Sequence, residues 1–361
     1  MGKILILANF DVGLYKFRKE LIQELLGQGN EVYISLPQGD LVQPLIDMGC
    51  KFIDTDVDRR GINPIADFKL LIRYLNILKQ LKPDKVITYT IKPNVYGGIV
   101  CRIKKIPYVI NITGLGTAFQ NDGLMKRFIT VLYKLSCKKA KMVFFENEKN
   151  QQIFIDSNIV KRESTCKLNG AGVNLEEYQF CEYPSDENIH FVFIGRVMKE
   201  KGVDELFEAA KRIKSEYGNV AFDIVGLFED NYEKTIIELE EQGVIKFHGF
   251  QSNVKPFIER AHCFVLPSYH EGMANTLLEC GAMGRPLITS GIYGCKEAVI
   301  DGGNGYIVNV KDSEDLYQKV KRFIELPFED KVKMGQTSRK YIASGFDKRR
   351  VVEMTIKELK K

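Results

Sequence analysis

The sequence predicts an α/β protein made of two doubly wound, Rossmann-like domains that face a central cleft. Short apolar runs rich in Ile, Val and Phe alternate with helix-length amphipathic segments, and this alternation stops once and then restarts. Such a pattern is typical of βαβ units with a parallel sheet. At 361 residues the chain is also long enough for two domains.

In the first half, apolar runs predict strands and the amphipathic segments between them predict helices. The strands are expected at 3–8, 31–36, 85–90, 107–112 and 141–145, and the helices at about 14–28, 64–82, 93–105 and 123–139. The pattern weakens over 169–188, which predicts an interdomain linker.

In the second half the same alternation returns. Strands are expected at 189–194, 220–225, 244–247, 262–266, 286–289 and 305–308, and helices at about 201–217, 231–242, 253–260, 275–284 and 312–325. Segment 328–360 predicts two helices broken near Gly345. We therefore expect domains 1–170 and 171–344, with a final helix at about 345–361 that packs back on the first domain.

Composition excludes several classes of protein. Hydrophobic residues make up 45% and charged residues 27%, which excludes a disordered chain. The eight cysteines include no CxxC pair, so we expect reduced thiols in the cytosol, without a zinc site or a disulfide framework. The chain opens on a strand-like run, without the pattern of a signal peptide, and no apolar run is long enough to span a membrane.

Charge is distributed unevenly along the chain. Residues 1–170 hold 26 Lys and Arg against 16 Asp and Glu, a net charge of +10, which leaves −5 for the rest of the +5 total. A basic first half predicts contact with an anionic partner: a phosphate-bearing substrate, a membrane surface or nucleic acid. Ordinary surface scatter is the alternative. No recognisable module interleaves these cations with exposed aromatic residues, which argues against nucleic acid.

The first motif that indicates a chemical role is GRVMKEKG, Gly195–Gly202, between a predicted strand and a predicted helix. Arg196 and Lys201 at a strand-to-helix turn could clamp a diphosphate. Gly195 permits close backbone approach, and the helix N-terminus adds the positive end of its dipole. A solvated basic loop is the alternative.

The second motif is PSYHEGMANTLLE, Pro267–Glu279, after the strand HCFVL. Glu271 lies in the predicted loop and Glu279 on the helix that follows. Gly272–Thr276 would offer free backbone N–H groups to an anion. Glu279 stands in the apolar stretch TLLECGAMG, where an unpaired charge would be costly, and it could accept two hydrogen bonds from a ribose diol.

The spacing of these motifs, G-R-x4-K-G followed by P-S-x2-E-G-x6-E, resembles the retaining GT-B glycosyltransferases of family GT4. The resemblance extends over nearly the whole chain, through NFDVGLYKFRKEL, NGAGVNLEEY and the final helix pair. SLPQGD, RRGINP and NITGLGTAF resemble the bacterial branch that builds capsule, O-antigen and lipid-linked oligosaccharides.

The resemblance implies roles for particular residues. Arg196 and Lys201 would bind the nucleotide diphosphate, Glu279 the ribose and Glu271 the donor sugar; Glu271, Arg196 and Lys201 are the expected catalytic residues. The other donor contacts expected are Gly272, Met273, Ala274 and Asn275, with Gly226 and Phe250 near the base. Asn9 and Gly13 would belong to an N-terminal loop that closes over donor and acceptor.

The first half departs from the family at one position. Many relatives have a His after the strand equivalent to PYVINI, whereas this chain has Asn111, Thr113 and Gly114 there. Its histidines are at positions 190, 248, 262 and 270. We expect Asn111, Thr113 and Gly114 to serve by hydrogen bonding.

Three weaker patterns allow more than one interpretation. Segment 123–141 has apolar residues at helical spacing among lysines and arginines, which predicts either a helix on anionic lipid or a core-facing helix. Segment Asp54–Asp58 is more typical of a surface turn than of a metal-binding motif. GLGTAF, 114–119, lacks the third glycine of a dinucleotide loop, which argues against NAD.

The resemblance implies transfer of a sugar, most simply from a UDP-hexose or UDP-N-acetylhexosamine, to a polyprenyl-diphosphate-linked saccharide. It implies retention, no metal and no cofactor, with the departing phosphate deprotonating the acceptor. We expect a cytoplasmic enzyme held peripherally on the inner face of the plasma membrane. The alternatives are a UDP-sugar epimerase of the same fold and a non-catalytic subunit that binds sugar nucleotides or glycans.

Overall fold

The computed structural model describes residues 2–58, 63–115, 123–185 and 188–360. Residues 59–62 of RRGINP and 116–119 of GLGTAF lie outside these ranges. The chain divides into two compact units: unit 1 is Met1–Ala171 with Lys348–Lys361, and unit 2 is Gly172–Asp347. The sequence-based limits were 1–170 with about 345–361, and 171–344.

Unit 1 is built on a parallel sheet that, within the described residues, has seven strands in the order β3-β2-β1-β4-β5-β6-β7. The strands are β1 Lys3–Leu7, β2 Glu31–Leu36, β3 Lys51–Asp54, β4 Lys85–Tyr89, β5 Tyr108–Ile112, β6 Met142–Phe145 and β7 Thr165–Lys167. Strand order reverses between β1 and β4, and ligands of open α/β sheets bind beside such a reversal, at the carboxyl ends of the strands.

Helices cover both faces of the unit 1 sheet. They are α1 Asp11–Gly27, α2 Val42–Asp47, α3 Pro64–Leu81, α4 Gly98–Lys104, α5 Leu124–Cys137, α6 Glu148–Asp156 and α13 Lys348–Lys360, and a π-helical turn, Pro93–Gly97, precedes α4. The last helix, α13, packs on α1 and places Val351, Ile356 and Leu359 in the core on that face. Buried Lys348 reinforces the contact, with its Nζ 3.3 Å from Glu20.

Unit 2 is built on a second parallel sheet, with six strands in its described part in the order β10-β9-β8-β11-β12-β13. The strands are β8 Ile189–Ile194, β9 Val220–Val225, β10 Lys246–Phe247, β11 Cys263–Leu266, β12 Leu287–Ser290 and β13 Gly305–Val308. The helices are α7 Val203–Glu216, α8 Glu233–Glu241, α9 Lys255–Arg260, α10 Asn275–Ala282, α11 Ser313–Ile324 and α12 Phe328–Gly345. Here strand order reverses between β8 and β11.

The elements that sequence reasoning missed are mostly short or lie at sheet edges. Strand β3 is half-exposed and β7 has three residues, so neither carries the long apolar run that identifies a buried strand. Short helices α2 and α6 were also missed. The final helix pair breaks after Gly345, as the sequence predicted, and α13 starts at Lys348.

A buried charge cluster explains the position of two of the histidines. The Asp223 carboxylate on β9 contacts His190 Nδ1 at 3.1 Å, His248 Nε2 at 2.5 Å and Arg260 Nη2 at 2.9 Å. Burial alone would raise the pKa of Asp223, but hydrogen bonds from both histidines and the charge of Arg260 lower it to about 2. These histidines are thereby engaged in the internal structure of unit 2.

Candidate active site

The candidate site of unit 2 lies where the sheet order reverses. Its two motifs follow β8 and β11, which are hydrogen-bonded neighbours. The carboxyl ends of parallel strands meet at one edge of a sheet, so the loops after β8 and β11 come together. This is the place where ligands of doubly wound sheets bind.

Lys201 and Glu271 meet directly across these loops. Lys201 Nζ lies 2.5 Å from Glu271 Oε1, and both side chains are largely buried. Ser268 Oγ donates a second hydrogen bond to the same oxygen, at 2.9 Å. Each charge is therefore held in place by the other before any ligand arrives, which is the geometry of a preorganised electrostatic site.

Backbone contacts fix the distance between the two loops. The Tyr269 N–H donates to the Glu200 carbonyl at 2.8 Å. Gly202 has φ of +71°, and a Cβ there would lie 2.1 Å from the Pro267 carbonyl oxygen. Position 202 therefore needs glycine both for its backbone conformation and for the close approach.

Arg196 occupies a more open position than Lys201. Its side chain is 52% exposed, and its guanidinium lies 3.4 Å from Glu229, which follows β9. The two cationic side chains that were predicted to bind the diphosphate thus pair with different carboxylates. Because half of its side chain is exposed, Arg196 can be reached by an anion from solvent.

The second motif continues into α10, which begins at Asn275. The preceding residue, Ala274, is the N-cap and makes no side-chain cap hydrogen bond. The N–H groups of a helix's first turn have no intrahelical partner, so this end of α10 can receive an anion. Buried Asn275 Oδ1 also has no hydrogen-bond partner among the described residues.

Glu279 stands one turn into α10, beside a tyrosine that the sequence did not single out. Burial raises the pKa of Tyr178, and the Glu279 carboxylate raises it further by its charge and by accepting a hydrogen bond from the hydroxyl. Tyr178 therefore lies beside Glu279 in the structure. The only sequence signal was the position of Tyr178 in NGAGVNLEEY.

A further loop, after β12, supports the start of α10. The Gly294 carbonyl accepts a hydrogen bond from the Ala274 N–H at 2.8 Å, and the Gly294 N–H donates to Glu297 at 2.7 Å. The loop after β12 therefore holds the backbone at the start of α10 through Ala274. Sequence reasoning did not identify Glu297.

The predicted base-binding residues follow β9 and β10. The Gly226 N–H donates to the Gly249 carbonyl at 2.9 Å, and a Cβ on Gly226 would lie 1.8 Å from the Gly195 carbonyl oxygen. Phe250 is exposed. The structure thus links the predicted base-binding loops to the loop that carries Arg196.

In unit 1, Asn9 follows β1 at the reversal of strand order. Its Oδ1 is buried and has no hydrogen-bond partner among the described residues. Gly13 lies in the first turn of α1, against Phe10. Thr113 and Gly114 follow β5 and are half-buried.

Asn111 is used inside unit 1. It is 3% exposed, its Nδ2 donates to the Thr88 carbonyl at 3.2 Å, and its own carbonyl accepts from Asn94 at 2.8 Å. These bonds connect the carboxyl end of β5 to β4 and to the π-helical turn that precedes α4. They give Asn111 a structural task that the resemblance did not imply.

Two further charged residues lie at this end of unit 1. Arg18 of α1 and Glu146, directly after β6, form a buried ion pair with a separation of 2.5 Å. Burial raises the pKa of Glu146, and Arg18 only partly opposes this. The Arg18 guanidinium lies 5.0 Å from the centre of the Tyr89 ring. Arg18 lies within NFDVGLYKFRKEL, which was the only sequence signal for it, whereas Glu146 lies outside the motifs that sequence reasoning used.

The weaker sequence patterns can now be placed. Asp54 ends β3, and Asp58 lies 3.7 Å from Lys92 Nζ. Helix α5 buries Ile129 and Tyr133. Its other large apolar side chains include four that are exposed to solvent: Leu124, Phe128, Val131 and Leu135. In the part of the chain that the structure describes, no helix has the length and hydrophobicity to cross a membrane.

Comparison with known proteins identifies the class. The family model described as glycosyl transferases group 1 matches residues 176–341, and the one described as glycosyl transferase 4-like matches residues 3–147. Together they span most of the chain. The protein belongs to this family of glycosyltransferases and has the GT-B fold.

Two relatives and one solved structure show how far the similarity extends. An N,N'-diacetylbacillosaminyl-diphospho-undecaprenol alpha-1,3-N-acetylgalactosaminyltransferase of Campylobacter jejuni is 29% identical, over 90% of this chain and 89% of its own. A UDP-Gal:alpha-D-GlcNAc-diphosphoundecaprenol alpha-1,3-galactosyltransferase of Escherichia coli is 28% identical, over 80% and 78%. Anabaena HepE, solved with UDP and glucose, shares the fold at 17% identity, with a TM-score of 0.82 over 100% of both chains.

Proposed function

We propose that this glycosyltransferase moves a sugar from a UDP-hexose or UDP-N-acetylhexosamine to a polyprenyl-diphosphate-linked saccharide, with retention, in surface-polysaccharide biosynthesis. The observation that carries the proposal is the Lys201–Glu271 pair at the reversal of strand order in unit 2, followed at once by the start of α10. Unit 2 would bind the donor and unit 1 the acceptor.

The chemistry follows from the charges at this site. Cleavage of the donor leaves negative charge on the diphosphate. Lys201, Arg196 and the N-terminus of α10 would stabilise that charge, which is the largest task in such a transfer. Glu271 would hold the hydroxyls of the donor sugar, and Glu279, beside Tyr178, would hold the ribose.

Retention without a protein nucleophile requires attack on the face that the leaving group vacates. The departing phosphate oxygen then accepts the proton of the acceptor hydroxyl, so no separate general base is needed. The two relatives support retention, since both their names specify an alpha linkage and UDP-hexoses carry their sugar in alpha linkage.

The acceptor class is supported by the same two names, each of which specifies a saccharide on an undecaprenyl diphosphate. UDP as the nucleotide is supported by the name of the second relative and by the UDP in the HepE structure. A polyprenyl acceptor lies in a membrane, so a peripheral position on an anionic membrane surface belongs to the proposal. The exposed apolar side chains of α5, with Arg127 and Lys134 beside them, support it.

The first test is binding of UDP, GDP, ADP, CMP and NAD to the purified protein by calorimetry and thermal shift. We expect selective stabilisation by UDP, followed by transfer from a UDP-sugar to an undecaprenyl-diphosphate saccharide both with and without EDTA. GDP selectivity would keep the enzyme class and refute the UDP donor. No nucleotide binding would refute the roles given to Lys201, Arg196 and Glu279.

The same assay separates the proposed reaction from the epimerase. An epimerase converts the nucleotide sugar alone, whereas a transferase releases UDP only when an acceptor is present. Conversion of the UDP-sugar without an acceptor would contradict transfer as the reaction of this site.

A further inference from the structure

Exposed apolar side chains are concentrated on one part of unit 1. Of the large apolar side chains that are exposed among the described residues, half lie on α3, α4 and α5, helices of only 18, 7 and 14 residues. They are Ile65, Phe68 and Ile72 on α3, Ile103 on α4, and Leu124, Met125, Phe128, Val131 and Leu135 on α5. Exposed apolar side chains concentrated on neighbouring helices are typical of an interaction site.

The three helices form one continuous layer. Helix α4 packs against both α3 and α5, and all three contribute to the core on the same face of the sheet. In a βαβ unit the helix runs antiparallel to its strands. The N-terminal halves of α3 and α5, which carry Phe68 and Phe128, therefore lie toward the carboxyl edge of the sheet, where Asn9 also lies.

The exposed apolar residues are not needed by the core of unit 1. Helix α3 has a separate buried face formed by Leu70, Tyr74 and Ile77, and α5 buries Ile129 and Tyr133. The outer side chains are substantially exposed: Phe68 is 66%, Phe128 51% and Leu124 84% accessible. Removing apolar surface from water is favourable by about 25 cal/mol per Å². Covering this layer would therefore lower the free energy.

The charge on the three helices is almost all positive, although the exposed carboxylates Asp54, Asp56 and Asp58 lie beside the N-terminal half of α3. The three helices contain eight basic residues: Lys69, Arg73, Lys79, Arg102, Lys104, Lys126, Arg127 and Lys134. Their single acidic residue, Asp67, is buried and lies 2.9 Å from Lys92 Nζ. By contrast α8 of unit 2, EKTIIELEE, is mostly acidic.

We propose that the outer face of α3, α4 and α5, called here the basic apolar layer, is a docking surface for an anionic lipid bilayer, with α3 as a second contact beside α5. The inference extends the membrane contact that the proposed function gives to α5. Apolar side chains would enter the boundary between headgroups and acyl chains, and the surrounding cations would meet lipid phosphates.

A lipid surface fits this layer better than a protein partner does. Protein interfaces are depleted in lysine, whereas lysine is the most frequent charged residue on these helices. Neighbouring packed helices lie 8–10 Å apart, so α3 and α5, with α4 between them, are separated by roughly 16–20 Å. Two lines of contact at that spacing would fix the tilt of unit 1 on the membrane, which one helix cannot do.

The test is co-sedimentation of the full chain with vesicles of phosphatidylcholine containing phosphatidylglycerol, and with phosphatidylcholine alone. No nucleotide or acceptor is added. One double variant changes α3, Phe68→Ser with Ile72→Ser, and one changes α5, Phe128→Ser with Val131→Ser. Ile237→Ser on α8 is the matched control, because Ile237 is 55% exposed in unit 2.

We expect each double variant to lower the partition coefficient onto the anionic vesicles about tenfold or more, and the control to change it less than twofold. Lys69→Glu should lower it at least about fivefold at low salt, and Lys234→Glu on α8 should not. Binding should be much weaker on phosphatidylcholine alone.

Three outcomes would overturn the inference. Wild-type binding by the α3 variant alongside loss in the α5 variant would leave α5 as the sole contact. Equal binding to both vesicle types would refute the electrostatic part. A wild-type dimer that the α3 variant dissociates, seen by light scattering, would mean that a second copy covers the layer.

UDP binding is measured on the same variants and separates this inference from the proposed function. It should be unchanged, since none of the substituted residues lies at the donor site. Vesicle binding without UDP binding would refute the proposed donor and support the lipid-binding surface. UDP binding without vesicle binding would refute the lipid-binding surface and support the proposed donor.

Discussion

At the scale of single residues, the proposed donor site contains charges that already satisfy one another. Lys201 and Glu271 are in contact at 2.5 Å, and Ser268 gives Glu271 a second hydrogen bond. A diphosphate must therefore share Lys201 with Glu271.

Lys201→Ala and Glu279→Ala should each lower kcat/KM for the donor about 100-fold or more, since each removes a charge that contacts the ligand in a partly buried site. Both variants should remain folded: Ser268 still hydrogen-bonds Glu271 in the first, and the second leaves Tyr178 at a half-buried position. Initial rates against donor concentration measure the loss. The control is Lys199→Ala, an exposed lysine of the same loop. Near-wild-type turnover in either variant would contradict the site assignment.

At the scale of elements, the site depends on how closely the loops after β8, β9 and β11 approach one another. Gly202 meets the Pro267 carbonyl, and Gly226 meets the Gly195 carbonyl. Neither approach leaves room for a side chain. Gly202 therefore sets the distance that brings Lys201 to Glu271, and Gly226 sets the distance between the loops after β8 and β9.

We expect Gly202→Ala to be more damaging than Gly243→Ala. Both glycines have a positive φ, +71° and +67°, so each alanine costs about 1 kcal/mol in backbone strain. Only at position 202 would the new Cβ also strike backbone, while position 243 has nothing within 4 Å. Urea unfolding should show a larger loss of stability for Gly202→Ala, together with weaker UDP binding. Equal effects at the two positions would mean that the close approach is unimportant.

The same scale shows what the sequence could predict and what it could not. Buried central strands such as β4 and β11 are recognisable because both faces are covered and the run is continuously apolar. The meeting of the two unit 2 motifs follows directly from that, since loops after neighbouring parallel strands lie at one edge of the sheet. The sequence could not predict which face of α5 is buried. Ile129 and Tyr133 recur at helical spacing, and so do Leu124 and Phe128, so either pair could have faced the core. Tyr178 and Glu297 were missed because their partners are distant in sequence.

At the scale of the whole molecule, the chain crosses between the two units at Ala171–Gly172 and again at Asp347–Lys348. Unit 2 has one large core of its own, and unit 1 has a separate core on each face of its sheet. The last helix, α13, completes one of the unit 1 cores. A substitution in α13 should therefore act on unit 1, whereas a donor nucleotide should act on unit 2.

Leu359→Ala tests this division. Leu359 is 5% exposed in the core shared with α1, so its loss should cost about 2–5 kcal/mol, while Met354→Ala, at an exposed position on the same helix, should cost little. Hydrogen exchange followed by mass spectrometry should show faster exchange in β1, α1 and β2 of Leu359→Ala, with β8 to β13 unchanged. Adding UDP should slow exchange around Lys201 and Glu279 in both variants, because a ligand that binds only folded unit 2 stabilises that unit. Faster exchange throughout the chain in Leu359→Ala would show that the units unfold together, and protection by UDP confined to unit 1 would reverse the proposed division of donor and acceptor binding.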